Sequence, residues 1–156
     1  GCTFIGGTWK DVTTDDLFKG KRVVMFSLPG AFTPTCSSEE LPSYDRMYNE
    51  FKELGIDDVY CVSVNDAFVM NAWARDLEIQ NVKMIPDGCG TFTSNMGMLV
   101  AKPKQGFGMR SWRYAAVVND GVVEKMFEEP GFNNFSDDDD PYVVSKPEIV
   151  KNYLNG

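Results

Sequence analysis

The run "RVVMFSL", Arg22 to Leu28, is apolar and β-branched without polar alternation and stops at Pro29-Gly30, the pattern of a strand buried on both faces. Thr33 can then cap a helix whose first residue is Pro34, where a missing N–H costs nothing, and this puts Cys36 at the third position of the first turn. Tyr44, Met47, Tyr48, Phe51 and Leu54 follow at helical spacing until "LGIDD" ends the run, and Pro42 inside it predicts a kink. Next come a strand from Val59 to Val64, an amphipathic helix from Ala67 to Ile79, and a short strand "VKMI" closed by Pro86. "WRYAAVV" and "VVEKMF" flank Asn119-Asp120-Gly121, a strong hairpin signal, and a last helix is expected from Pro147 to Tyr153. A β-α-β-α-β order followed by a hairpin and a terminal helix predicts an α/β fold with a parallel or mixed central sheet and helices on its faces.

Composition narrows the function classes. At 156 residues the chain is expected to form a single domain, residues 1–156, because about 100–200 residues is the usual domain size and suffices for a substantial core. The apolar fraction of 43% is too high for a disordered chain, and no apolar run reaches the roughly 18 residues that span a bilayer, so no membrane partner is expected. A net charge of −8 offers no basic footprint, which argues against nucleic acid. The start "GCTFIGG" has no signal-peptide pattern, and a cytoplasmic location is expected, or an organellar one if a targeting segment has been removed. The triplet at Asn134 to Ser136 fits a glycosylation sequon by chance, and "SDDDDP", Ser136 to Pro141, lacks the alternation of a calcium loop and reads as a solvated loop.

Four cysteines, at 2, 36, 61 and 89, form no C-x-x-C pair, and the chain has no histidine, so neither a mixed zinc site nor Cys-His hydrolase chemistry is available. Thioredoxin-type disulfide exchange lacks its motif for the same reason. Cys36 is the exception in position: at a helix start, unpaired N–H groups and the dipole favour a thiolate and can lower a thiol from ~8.5 into the range of roughly 3.5–7.5. The competing reading is a small buried hydrophobe, as free cysteines often are, and position alone leaves both open. Without histidine, any charge partner must be arginine or lysine, and arginine's fork suits a thiolate and an oxygen together.

"PGAFTPTC" resembles the peroxiredoxin motif P-x-x-x-T-x-x-C, with Pro29, Thr33 and Cys36 in register. "VSVNDAFVMNAWARD", "NMGMLV" and "GFGMRSWRYAAVVNDGVVEKMFEEPG" are similar to the type II, or peroxiredoxin-five, branch, and the likeness runs from about Thr8 onward. The resemblance implies a thioredoxin-like fold and reduction of hydrogen peroxide or organic hydroperoxides through a sulfenic acid at Cys36, with no bound cofactor. It implies that Arg113 holds thiolate and peroxide, Thr33 offers its hydroxyl to both, and Pro29 shields the pocket. Each has a plainer role available: helix cap for Thr33, surface ion pair for Arg113, strand terminator for Pro29.

Many type II members carry S-x-x-H-L-P after the cysteine, whereas this chain has "SSEELP", with Glu40 in the histidine's place. Glu40 is expected to face solvent; pointed inward, it would raise the thiol pKa by like-charge repulsion. The resemblance also offers Cys61 as a resolving cysteine, against a one-cysteine cycle in which glutathione and a glutaredoxin, or a thioredoxin, return the thiol; Cys89 and Cys2 are expected to be incidental. A homodimer is implied, with Phe32 and Trp112 as candidate surface aromatics. A different class of function, a redox-signalling or chaperone-like binding module on the same fold, would tolerate loss of Thr33 or Arg113.

Overall fold

The chain begins with a hairpin, β1 (Cys2–Ile5) and β2 (Thr8–Asp11), and a short helix, α1 (Thr14–Phe18), then enters the centre of the molecule at β3 (Arg22–Ser27). A π-helical turn (Cys36–Glu40), α2 (Leu41–Arg46) and α3 (Tyr48–Glu53) lead to β4 (Asp58–Ser63), α4 (Ala67–Asp76) and β5 (Lys83–Pro86). After α5 (Thr91–Asn95) come a hairpin of β6 (Leu99–Lys102) and β7 (Gly108–Ser111), a second of β8 (Tyr114–Asn119) and β9 (Val122–Glu128), and the terminal α6 (Pro147–Asn155). This is a computed structural model, and it describes residues 2–5, 8–132 and 140–156, with side chains from residue 8 onward. Cys2's side chain, the Asn134 to Ser136 triplet and most of the acidic run therefore lie outside the described residues. Among the described residues no helix is long and apolar enough to cross a membrane.

The central sheet has the order β5-β4-β3-β8-β9, with β3, β4 and β5 parallel and β8 and β9 antiparallel to their neighbours. Its inner strands are buried on both faces, which is why β3 and β8 read as continuous apolar runs. Val24, Phe26, Val59, Cys61, Ala115 and Val117 pack on one side against Leu41, Tyr44, Phe51, Trp73 and Val150 of the helices. Val23, Met25, Tyr60, Val62, Tyr114 and Ala116 pack on the other against Leu17, Phe18, Val100 and Trp112. The β8–β9 turn has Asp120 at φ 50° and Gly121 at φ 79°, the paired positive angles that a two-residue hairpin loop needs and that the Asp-Gly pair supplies.

Three expectations change. The helix after Cys36 is not one kinked rod but a π turn, α2 and α3 in succession: Leu41 N–H bonds back to Cys36 O, five residues away, so the wide turn falls just ahead of Pro42, which has no N–H to donate. The helix expected over Ala67 to Ile79 closes at Asp76. Trp112 is not a surface aromatic; it is 2% exposed and its indole N–H donates to Glu129 O at 2.8 Å.

Candidate active site

The topology brings the two ends of the site together. Ser27, the last residue of β3, pairs with Tyr114, the first of β8, so the loop leaving β3 lies beside Arg113. That loop is tied down on both flanks. Ala31 N–H bonds Asn65 Oδ1 at 3.0 Å, and Arg110 Nη1 donates to Pro29 O at 3.2 Å. Gly30 makes room for this contact, since a Cβ there would lie 2.6 Å from Arg110 Nη1. Thr33 O accepts from Ser37 N–H at 2.9 Å, the first helical bond, with Pro34 and Thr35 helical and Cys36 third, as its sequence position suggests. The Thr33 hydroxyl does not cap the helix. It lies 2.7 Å from Gly30 O and also within reach of the Cys36 sulfur, so its single proton can serve either.

Arg113 is 2% exposed and spends its donors on four groups. Nη2 donates to Cys36 Sγ at 3.3 Å, Nε to Glu40 Oε1 at 2.7 Å, and Nη1 to Pro141 O at 3.0 Å and to the Asp140 carboxylate. The Tyr142 ring lies 5.7 Å from its Cζ. The segment that brings these groups over the guanidinium is anchored by Glu129, a fully buried carboxylate that accepts from Val143 N–H, Ser145 N–H at 2.8 Å and Ser145 Oγ at 2.6 Å. Tyr44 OH adds a bond to Ser145 O. Nothing in the sequence pattern marked Glu129, Asp140 or Tyr142 for the site; their role comes from contacts between distant segments.

Glu40 does not face solvent. It is fully buried beside the thiol, because four residues along this π turn bring it back to nearly the same face. Burial pushes its carboxyl up to about 8 against the pull of Arg113. Cys36 is also fully buried, and its thiol stands above its ordinary value, first through burial and then through the negative charge of Glu40, with Arg113 and Thr33 opposing both. The lowered thiol expected from the helix start alone is thus countered first by burial and then by the inward-facing Glu40.

Above the guanidinium opens a cavity of about 220 Å³, several times the ~30 Å³ share of a liquid water. Pro29, Pro34, Phe107 and Trp112 give it apolar walls, while Thr33, Arg113 and Asp140 supply polar atoms. Two hollows of 420 and 610 Å³ border α1 and contain none of Pro29, Thr33 or Arg113, which line the first cavity. Cys61 sits in mid-sheet, paired with Phe26 and Met84, fully buried within the same apolar cluster as Cys36, and burial raises its thiol well above normal. Cys89 is exposed and free, outside the cavity.

Residues 3–140 match the redoxin family. The chain is 64% identical over 142 residues to a peroxiredoxin of Rhizobium etli, covering 91% of this chain and 79% of that one. It is 54% identical over 149 residues to the hybrid peroxiredoxin hyPrx5 of Haemophilus influenzae, covering 96% of this chain and 60% of that protein. Its fold matches the crystal structure of the Plasmodium falciparum antioxidant protein, a 1-Cys peroxiredoxin, with a TM-score of 0.91 at 40% identity over 94% of this chain and 86% of that one. A buried cysteine under an arginine on a thioredoxin-like sheet and this breadth of likeness agree: the chain belongs to the redoxin family and is a peroxiredoxin of the type II, peroxiredoxin-five kind, a thiol-dependent peroxidase.

Proposed function

We propose that Cys36 is the peroxidatic nucleophile, that Arg113 and Thr33 hold it and the peroxide together, that Pro29 walls the reacting atoms off from water, and that the substrates are hydrogen peroxide and organic hydroperoxides. The observation that carries this is the 3.3 Å contact from Arg113 Nη2 to the buried Cys36 Sγ, made by a guanidinium that itself lines a cavity walled by Pro29 and Thr33. The Cys36 thiolate attacks the nearer peroxide oxygen, the O–O bond breaks, sulfur becomes a sulfenic acid, and the outer oxygen leaves as water or alcohol after gaining a proton. Arg113 and Thr33 are fixed donors aimed where charge moves from sulfur to the leaving oxygen, and such preorganised donors are worth most out of bulk water. The apolar walls and the size of the cavity favour a substrate with an alkyl group as well as hydrogen peroxide itself.

For the return to thiol, the burial of Cys61 favours an external thiol over it. A thiol buried in mid-sheet is held protonated, and a bridge needs Cα atoms within about 7 Å and matching Cβ directions. Glutathione with a glutaredoxin, or a thioredoxin, therefore attacks the sulfenic acid, releases water and leaves a mixed disulfide that a second thiol reduces. Mass spectrometry after one equivalent of peroxide and excess glutathione is expected to show a glutathione adduct on Cys36; a quantitative Cys36–Cys61 bridge would reverse this order. A homodimer is proposed as well, with exposed Phe32 at its surface, and a sedimentation mass near 17.5 kDa would argue against it.

The experiment for the nucleophile is stopped-flow tryptophan fluorescence of reduced protein with hydrogen peroxide. Trp73 donates its indole N–H to Ser37 Oγ at 2.9 Å, one residue from Cys36, and Trp112 lines the cavity, so both report on the site. A fast phase absent in Cys36→Ser and greatly slowed in Arg113→Ala is expected. The same phase persisting in Cys36→Ser rules out the assignment.

A further inference from the structure

Glu40 is fully buried, yet among the described residues only one of its carboxyl oxygens has a partner: Oε1 takes Arg113 Nε at 2.7 Å, while the buried Oε2 has none. A carboxylate removed from water needs donors on both oxygens, and a bare oxygen is where a proton belongs. The charged and titratable groups that face Glu40 are Arg113 and Asp140, Cys36 and Tyr44 from its own helical stretch, Cys61 from the sheet, and Glu129 and Tyr142 near the chain's end. Arg113 is the one cation among them in the described residues, and Asp140 already pairs with its Nη1 from the solvent side. A Cys36 thiolate and a Glu40 carboxylate together would set two further anions against that single charge, and such neighbours ionise one at a time.

The donors decide which ionises first. Cys36 Sγ has Arg113 Nη2 at 3.3 Å and the Thr33 hydroxyl within reach, both suited to an anion, whereas Glu40 Oε2 has no donor among the described residues. We propose that Cys36 and Glu40 hold one dissociable proton between them in the reduced protein at neutral pH, that it resides on Glu40 Oε2 while Cys36 is the thiolate, and that Glu40 gives it up when peroxide consumes the thiolate charge. This rests on Cys36 being the nucleophile. Glu40 is a positioning residue here, acting through the shared guanidinium. The upward push of burial on its carboxyl agrees with a retained proton, and a neutral Glu40 removes the second cause holding the Cys36 thiol up.

The balance is closed. Thiolate, hydroperoxide and the Glu40 carboxylic acid become sulfenic acid, alcohol or water, and the Glu40 carboxylate; an S–O bond forms, the O–O bond breaks, sulfur loses two electrons and the peroxide gains them. The proton on the departing oxygen is matched by the one Glu40 loses. Arg113, relieved of the thiolate, then neutralises the new carboxylate.

Proton uptake per sulfenic acid formed at Cys36 tests this, read with an indicator dye in weakly buffered neutral solution as reduced protein meets hydrogen peroxide. The wild-type protein is expected to show ultraviolet thiolate absorbance beforehand and to take up no proton, whereas Glu40→Gln shows the same absorbance and takes up one. One proton in both proteins means that Glu40 is ionised beside the thiolate, and no thiolate absorbance in the wild type means that the proton is on sulfur; either overturns the proposal. Should Glu40→Gln not fold, the infrared difference spectrum of wild-type protein before and after peroxide replaces it. It is expected to lose one protonated carboxyl stretch and gain a carboxylate band, and an unchanged carboxyl region overturns the proposal. If peroxide leaves no sulfenic acid on Cys36, the nucleophile assignment fails and this inference with it; a wrong proton count alongside sulfenic acid sinks the inference alone.

Discussion

Glu40→Gln is also a stability experiment whose size follows from the site. In the folded protein burial holds the Glu40 carboxyl at about 8 against an ordinary value of 4.5. Between those values the native state keeps a proton that the unfolded chain has released, so stability falls as pH rises through this window and is level outside it. The gap of 8 − 4.5, at ~1.36 kcal/mol per pH unit, corresponds to about 5 kcal/mol as an upper figure, since relaxation and water entry soften buried charge. Glutamine has the shape of the protonated side chain and cannot ionise. Chemical denaturation across this range, with wild type and Glu40→Gln measured side by side, is expected to show their difference growing by a few kcal/mol in favour of Gln toward alkaline pH. Taking the difference cancels to first order the titrating groups remote from Glu40, while Cys36, whose thiol feels the Glu40 charge, contributes to the difference. Two curves that run parallel from acid to alkaline conditions would refute the assignment of a buried, proton-retaining Glu40.

Other substitutions test the remaining contacts. Arg113→Lys keeps the charge but not the fork that reaches Cys36, Glu40 and Asp140 together, and the second-order rate with peroxide is expected to fall roughly 10²–10³-fold by stopped flow. Gly30→Ala places a Cβ 2.6 Å from Arg110 Nη1 and 3.3 Å from Thr33 Cγ2; a loss of about 1–3 kcal/mol on thermal melting is expected, with partial recovery when Arg110→Ala is added. Ser145→Ala removes the 2.6 Å hydroxyl donor to the buried Glu129 carboxylate and is expected to cost about 1.5–3 kcal/mol in denaturant unfolding.

What the sequence disclosed and what it hid divide along a physical line. The β3 run, the Asp120-Gly121 turn and the Thr33-Pro34 helix start were legible because each is decided by residues next to one another: apolar continuity, paired positive φ, a fixed proline angle. The β6–β7 hairpin was not, since its strands are four residues each, too short for a periodic signal, and β7 is mostly exposed. Arg113 was found through a motif, yet its surroundings, Glu129, Asp140 and Tyr142, assemble across large sequence separations and leave no local trace. Glu40 is the instructive error. Its side-chain type argued for water, while its place four residues after a buried cysteine argued for the same face and the same interior. Residue type is a preference of about a few kcal/mol that a buried guanidinium can offset, whereas four residues along either an α or a π turn bring a side chain back to nearly the same face. An acidic residue at that spacing from an inward-facing nucleophile is thus placed beside it by the backbone, and only its protonation remains for the surroundings to decide.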